Sequence, residues 1–366
     1  MSSYTVNVDE MQKLVASIFK HAGLFEQGAE DVAEMLIMAE KRGVRSHGIL
    51  RVPQYLVKIT EGGANRNPSF KVETETDTIA VLDADNTLGG AACGQAVRIA
   101  REKARNHGIG FVTVKHSNHF GMAGHWSLKL AGDDMVGFTG STVMRMMPAP
   151  GGKAPVIGNN PFSIAASGDK YKEICIDMAS CVSAIGKVFD LINQGKPVPM
   201  DWMMDENGEY TNDINKFKMA VPLGGHKGYG LAFAVELFAC MLSGGALPQE
   251  MNNQMDPKTS EMANQFFMAI DISKFRDVAE FKAGLDSYID FVKASPVKEG
   301  VGQAKYPGEI EYGVKQKVLK EGIEVPENVI GDILKACAET GVPAEEYAFL
   351  PNVGDKSGAD TGVLNK

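Results

Sequence analysis

The chain has 366 residues, of which 44% are apolar and 23% charged, and its formal net charge is −9. A chain of this length and composition buries an adequate core without disulfides or structural metal. Its acidic balance, with no basic run or stripe, argues against a nucleic-acid partner.

The N-terminal part reads as a helical hairpin. Met11, Leu14, Val15, Ile18 and Ala22 recur at helical spacing before a stop at Gly23, and Val32, Met35, Leu36 and Ala39 repeat the pattern before Gly43. A further helix is expected from Arg51 to Ile59, behind the polar turn Ser46-His47-Gly48. From Thr78 the texture changes. Thr78 to Asp83 reads as a strand, Gly94 to Asn106 as a helix ending at Gly108, and Ile109 to Lys115 as a second strand, which together predict a βαβ unit. Strand-like runs follow at Met135 to Thr142, Glu173 to Asp177 and Phe266 to Ile272. Helices are expected at Lys227 to Leu242, at Val278 to Val292, and again in the tail from Gly308, where Pro326 opens the last helix. The final dozen residues read as frayed. The fold class is α/β with helical ends.

The five cysteines, Cys93, Cys175, Cys181, Cys240 and Cys337, are scattered and form no CxxC pair. Neither a disulfide framework nor a zinc ribbon is expected, and a reducing cytoplasm fits. Met1 to Thr5 has no basic region ahead of an apolar stretch, so no signal peptide is read. The longest apolar run, Tyr229 to Leu242, is too short to span a bilayer and carries Glu236, so no membrane partner is expected.

Four segments can carry chemistry. Ser46, His47 and Arg51 set a hydroxyl, an imidazole and a carboxylate-pairing guanidinium within six residues, or else form a plain capped turn. A lipase-type serine is disfavoured, because Val44 stands where GxSxG needs its first glycine. Lys115 to Gly121 ends the second strand, where α/β proteins place their chemistry, and it contains His116 and His119 with His125 just beyond. A histidine there can shuttle a proton to a developing alkoxide. The three histidines match no HExxH spacing and no nearby ligands complete a shell, so no metal is expected. Residue chemistry alone does not choose among them. The glycine-rich run Pro222 to Gly230, containing Lys227, enters an apolar helix and offers amides and a charge to an anion. Gly158-Asn159-Asn160-Pro161, Asp177-Met178-Ala179 and Gly186-Lys187 are weak singly, and no GxGxxG occurs anywhere.

Taken in order, these motifs resemble the malate/L-lactate dehydrogenase family of non-Rossmann type, which includes sulfolactate and ureidoglycolate dehydrogenases and an imine-reducing branch. The resemblance rests on Ser46-His47-Gly48 with Arg51, Asn118-His119-Phe120-Gly121, Gly158-Asn159-Asn160-Pro161, Asp177-Met178-Ala179, Lys227-Gly228-Tyr229-Gly230 and Pro307-Gly308-Glu309. It runs from about Val8 to the final helix. It implies an L-sulfolactate dehydrogenase-like α/β fold with a mixed-sheet cofactor domain and helical N- and C-terminal segments. It further implies a homodimer, with residues 1–70 and 310–366 as a helical dimer-forming unit and 71–309 as the cofactor-binding and catalytic region. The implied activity is transfer of hydride between NAD or NADP and a small 2-hydroxy or 2-oxo acid. His119 would be the proton donor and acceptor, and Ser46, His47 and Arg51 would hold the substrate. Asp177, Met178, Ala179, Asn160, Lys227 and Gly121 would line the cofactor. The alternative within the family is an NADPH-dependent reductase of a cyclic imine 2-carboxylate. Three positions mark this chain: His125 and Trp126 stand where the family usually has aromatic residues, Gly-Asn-Asn-Pro replaces Gly-Thr-Asn-Pro, and Lys187 stands where the imine-reducing branch carries an acid.

Overall fold

A computed structural model describes residues 2–183, 185–193 and 195–353. It begins with a short strand, β1 (Ser3–Val6), and the expected helical hairpin of α1 (Val8–His21) and α2 (Glu26–Lys41). The Asn7 side chain accepts from the Asp9 and Glu10 amides and so caps α1, and Gly23 turns the chain after it at φ +90°. Two 3-10 turns, Arg45–His47 and Ile49–Arg51, lead into α3 (Val52–Thr60).

The centre is a seven-stranded sheet. In chain order come β2 (Lys71–Glu75), β3 (Ile79–Asp83), α4 (Gly89–His107), β4 (Ile109–Ser117), α5 (Ala123–Ala131), β5 (Met135–Ser141), the short β6 (Met147–Pro148) and β7 (Pro155–Ile157), then β8 (Phe162–Ala166) and β9 (Ile174–Met178). After α6 (Ile185–Asn193), a small sheet of β10 (Met203–Met204), β11 (Tyr210–Thr211) and β12 (Met219–Ala220) precedes α7 (His226–Glu236), which runs into a π-turn at Leu237–Met241. Then follow β13 (Ala263–Asp271), α8 (Val278–Lys293), α9 (Glu309–Glu321), β14 (Ile323–Pro326) and α10 (Glu327–Thr340). The large sheet has the order β2-β3-β4-β13-β5-β8-β9. Only β3 and β4 are parallel, joined through α4 as the expected βαβ unit; every other neighbouring pair is antiparallel. The sheet is therefore mixed.

Side chains alternate across the strands and face different helices. Val112, Val114 and Phe267 pack with Trp126 and the α4 alanines in a core that continues into α1 and α2. On the opposite face, Phe111, Phe138, Phe162 and Phe266 pack under Val235 and Ala239 of α7 and its π-turn.

The structure departs from the sequence expectation at α4, in the tail and at β8. α4 starts at Gly89, five residues before Gly94, because Gly89 lies against the Asn118 and His119 carbonyls where no Cβ fits. A glycine pair that reads as loop is here a close-packed first turn. The tail is not wholly helical: β14 pairs antiparallel with β1, from Ser3↔Pro326 to Val6↔Ile323. Short strands like these hold too few residues for a periodic signal. β8, sandwiched between β5 and β9, was likewise unexpected. The expectation for the final dozen residues falls outside the described ones. Among the described residues no helix is long and apolar enough to cross a membrane.

Candidate active site

The sequence places His119 just past the end of β4, and the fold fastens that loop on every side. His116 takes φ +51°, with Nδ1 2.9 Å from an Asp83 carboxylate oxygen, at the irregularity where the pairing of β4 with β13 shifts register. Asn118 is buried; its amide donates to the Asn86 and Thr87 carbonyls at 3.0 and 2.9 Å, and its oxygen accepts from the Glu261 amide at 2.9 Å. Beyond His119, the Trp126 indole donates to the Phe120 carbonyl at 2.7 Å. Gly121 has φ +73° and packs against the Met35 sulfur, so a side chain there would be both strained and crowded.

The second wall is the pair of 3-10 turns from Arg45 to Arg51. Glu40, buried on α2, accepts the Ile49 amide at 2.8 Å, and Gly48 lies so close to its carboxylate that a Cβ has no room. Burial pushes the Glu40 carboxyl up to about 7, against the pull of the Ile49 amide and Arg45. Arg51 donates to the Ser46 carbonyl at 2.8 Å and to Gln54 at 2.7 Å, which ties the end of the turns to their start. Ser46 Oγ lies 3.0 Å from His47 Nδ1.

These two walls bring His47 and His119 face to face, with ring centroids 5.5 Å apart and planes inclined by 25°. Tyr55, one turn beyond Arg51 on α3 and 4% exposed, places its hydroxyl 2.7 Å from His119 Nδ1. Lys58, one turn further, donates to the Thr259 carbonyl at 2.8 Å. Glu261 is buried beside them, and Met262 next to it holds φ +62°, a strained conformation for that side chain. Burial pushes the Glu261 carboxyl up to about 7, opposed by Lys58, the His119 amide and Arg51. Burial, with His47, Arg51 and Lys58 nearby, holds His119 well below the usual histidine range; His47 is lowered to about 4 by burial and by Arg51. The site is neutral at its histidines and cationic around them, a setting that favours an anionic ligand.

The expected cofactor residues gather along one neighbouring edge, with one exception. Asp177, at the end of β9, is exposed and accepts the Gly124 amide at 2.9 Å, which draws the strand end to the first turn of α5 just past Gly121. Met178 and Ala179 follow, and Ala179 packs with Tyr229 on a small apolar cluster containing Met147 and Ala232. The Leu223 amide donates to the Ser180 carbonyl at 2.9 Å, and Gly228 fits against the same carbonyl where no Cβ could. Lys227 is exposed in the first turn of α7, behind Gly224 and Gly225 at φ +60° and +66°. Gly186, at the start of α6, approaches Ser46 from the other side, with Lys187 exposed beside it. The exception is Asn160. Its side chain is fully buried, donates to the Ala232 carbonyl and to Glu236 at 3.0 and 2.8 Å, and accepts the Val143 amide at 3.0 Å. It braces α7 from the interior and turns no group toward the edge.

The structure also separates the three histidines. His116 is tied to Asp83, His125 is buried with neither ring nitrogen paired, and His119 alone faces His47 and Arg51. Tyr55, Glu40 and Glu261 were not foreseen. Two of them left a trace in the sequence: Glu40 falls four residues after Leu36 on the apolar face of α2, and Tyr55 four after Arg51. Among the described residues no group of three or more His, Cys, Asp or Glu side chains could hold a metal ion. An open recess of about 810 Å³ between α1, α2 and Arg98 is lined by mixed charges and lies away from His119.

Compared with known proteins, residues 6–334 match the malate/L-lactate dehydrogenase family. The chain belongs to that family. It is 34% identical to L-sulfolactate dehydrogenase of Methanocaldococcus jannaschii over 92% of this chain and 97% of that one. It is 33% identical to malate dehydrogenase of Pyrococcus abyssi, covering 92% and 95%. The solved structure of the M. jannaschii sulfolactate dehydrogenase superposes with a TM-score of 0.87 at 32% identity, covering 94% of this chain and all of that one. As a member of the malate/L-lactate dehydrogenase family, the protein is a 2-hydroxyacid dehydrogenase working with NAD or NADP, on a mixed-sheet α/β fold.

Proposed function

We propose that His119 is the proton carrier in the interconversion of a small 2-hydroxy acid, of malate, lactate or sulfolactate type, with its 2-oxo acid. The observation that carries this reading is the stacked His47–His119 pair beside Arg51, at the junction of a sheet end and the 3-10 turns. NAD or NADP, when bound, supplies or accepts the hydride at the second carbon of the substrate. The residues suit such a cofactor: Lys227 and the glycine amides opening α7 offer positive charge to phosphates, and the exposed Asp177 carboxylate can accept from a ribose hydroxyl. Met178 and Ala179 add an apolar rim, with the Gly121 turn beside it.

Arg51 pairs with the substrate carboxylate through its planar fork. Ser46 and His47 donate to the substrate oxygen and orient it. His119 delivers a proton to that oxygen during reduction and removes it during oxidation. The bound carboxylate offsets the charge of Arg51 and lifts His119 toward the range where it can hold a proton. Holding the reacting groups together is worth roughly 7–11 kcal/mol of the barrier in well-oriented systems.

The helical unit, residues 1–70 with 310–366, would contribute Ser46, His47 and Arg51, and the unit 71–309 would contribute His119 and the cofactor residues. Homodimer formation is supported by the stretch from Leu231 of α7 through its π-turn, which is apolar except for the buried Glu236. Its small residues Ala232, Val235 and Ala239 face inward, while Leu231, Phe233, Leu237 and Met241 are 38–49% exposed. This exposed apolar face supports a dimer contact at α7 beside the one expected of the terminal helical unit. Five free, buried cysteines support a reducing, cytoplasmic setting.

The test is a matrix of pyruvate, oxaloacetate, a sulfonated 2-oxo acid and a cyclic imine 2-carboxylate against NADH and NADPH, followed by loss of nicotinamide absorbance. Turnover of a 2-oxo acid with no turnover of the imine is expected. Turnover of the imine alone would replace this reading with the imine-reducing one.

A further inference from the structure

We propose that Tyr55 is the positioning residue that selects the working tautomer of His119: its hydroxyl oxygen accepts the Nδ1 proton and leaves Nε2 to exchange a proton with the substrate oxygen. The inference rests on the reading of His119 as proton carrier, and it names what makes that histidine competent.

The geometry constrains the imidazole to one free nitrogen. Tyr55 Oη sits 2.7 Å from Nδ1, so that nitrogen is engaged and Nε2 is the one left for substrate. Tyr55 is itself fixed, because it lies in α3 and its ring is part of the main core. Two neutral arrangements remain. In one, Tyr55 donates to Nδ1 and the imidazole carries its proton on Nε2. That form cannot take a proton from a substrate hydroxyl at Nε2. Giving one up at Nε2 would create an imidazolate, or a phenolate if Tyr55 passed its own proton to Nδ1. Burial pushes the Tyr55 phenol upward, with Glu261 and Cys93 adding to the rise and Arg51 opposing it, so a phenolate is disfavoured. In the other, Nδ1–H donates to Tyr55 Oη and Nε2 is bare. During oxidation the substrate O–H bond breaks and its proton moves to Nε2, while hydride leaves the adjacent carbon for the nicotinamide. The imidazolium so formed keeps its Nδ1–H···Oη bond, and reduction runs the same step backwards. Only this tautomer balances in both directions without an unstable anion.

The surrounding charges explain why a neutral acceptor serves. His47 and Arg51 face His119 from the 3-10 turns, Lys58 from α3 and Glu261 from the segment before β13. A phenol oxygen supports the imidazolium modestly. A carboxylate in its place would add a second buried acid beside Glu261.

The experiment is Tyr55→Phe, together with site-specific replacement of Tyr55 by 3-fluorotyrosine, a weaker acceptor that keeps the hydroxyl and the ring volume. Nitrogen-15 spectra of histidine-labelled enzyme, with the His119 signals assigned by their loss in His119→Gln, report the tautomer without turnover. In the unmodified protein His119 is expected to carry its proton on Nδ1, and in Tyr55→Phe to shift toward Nε2–H. Alcohol oxidation should fall roughly 10- to 100-fold in Tyr55→Phe with cofactor affinity unchanged. Loss of the acceptor also weakens the imidazolium, so the histidine-dependent limb of kcat/KM against pH should move to lower pH, less so with fluorotyrosine. A merely structural Tyr55 would change Tm without moving that limb. An Nε2–H tautomer in the unmodified protein, or a limb unmoved in both variants, would overturn the proposal. If Tyr55→Phe does not fold, the fluorotyrosine protein decides. Full activity in His119→Gln would instead sink the reading of His119 on which the proposal stands, so the two failures are distinguishable.

Discussion

His125 sits in the first turn of α5 with both ring nitrogens buried and unpaired, and burial lowers it to about 3. A depressed histidine contributes its full share to stability above the unfolded value near 6.5, and that share is lost as pH falls toward 3. His125→Phe should therefore stabilise the protein at neutral pH by about 1–2 kcal/mol, since a buried unpaired polar group is removed. Its Tm advantage over the parent should widen as pH drops from 6.5; a constant advantage would mean that the ring is paired in solution. His119 makes the opposite case, a depressed histidine with a partner and a task. His119→Ala is expected to lower kcat by roughly 100- to 10,000-fold with little change in cofactor affinity, measured by steady-state kinetics and cofactor titration. Near-normal turnover would remove it from the chemistry. Arg51→Lys should chiefly raise the substrate KM, because an ammonium does not copy the two-pronged fork. An unchanged KM would put the carboxylate elsewhere.

At the scale of elements, the 3-10 turns from Arg45 to Arg51 owe their shape to α2, through the Glu40–Ile49 hydrogen bond. The raised Glu40 carboxyl costs the fold nothing below about pH 4.5, and stability is lost as pH rises through about 7. Glu40→Gln keeps an acceptor without the charge, so its Tm should gain on the parent from pH 4.5 upward while turnover is retained. Glu40→Leu strands the Ile49 amide and should cost about 1–3 kcal/mol and raise the substrate KM. Thermal melts and kinetics across pH check both. Such dependence explains what the sequence did and did not disclose. Helices α1, α2 and α8 were legible because their apolar residues recur with the helical period, and β3-α4-β4 because strand, helix and strand alternate cleanly. His119 and Arg51 were legible as motif residues. Tyr55 was not, because its partner lies 64 residues away, and Glu261 meets Asn118 across 143. The resemblance assigns Asn160 to a ligand, whereas its burial under α7 depends on a helix that starts at His226. Contacts across such distances leave no local pattern to read.

For the whole molecule, the exposed apolar face of α7 is the feature that a single chain leaves unsatisfied. Replacing Leu237 and Met241 together by lysine should halve the mass measured by light scattering without unfolding the chain, because both side chains are 49% exposed. A mass unchanged from the parent would move the contact to another face. α7 begins at His226, beside Lys227 and the glycines, so its docking would also set the position of the proposed cofactor edge. Loss of cofactor affinity in the same variant is expected.

The pairing of β1 with β14 reaches beyond architecture into the timing of synthesis. Residues 3–6 leave the ribosome long before their partner at 323–326. At roughly 5–20 residues per second, the leading strand waits on the order of tens of seconds for the edge that completes it. Throughout that interval α1 and α2 must hold together without the clasp, an opening in which chaperones can bind. The finished clasp then ties the strand ahead of α1 to the strand ahead of α10.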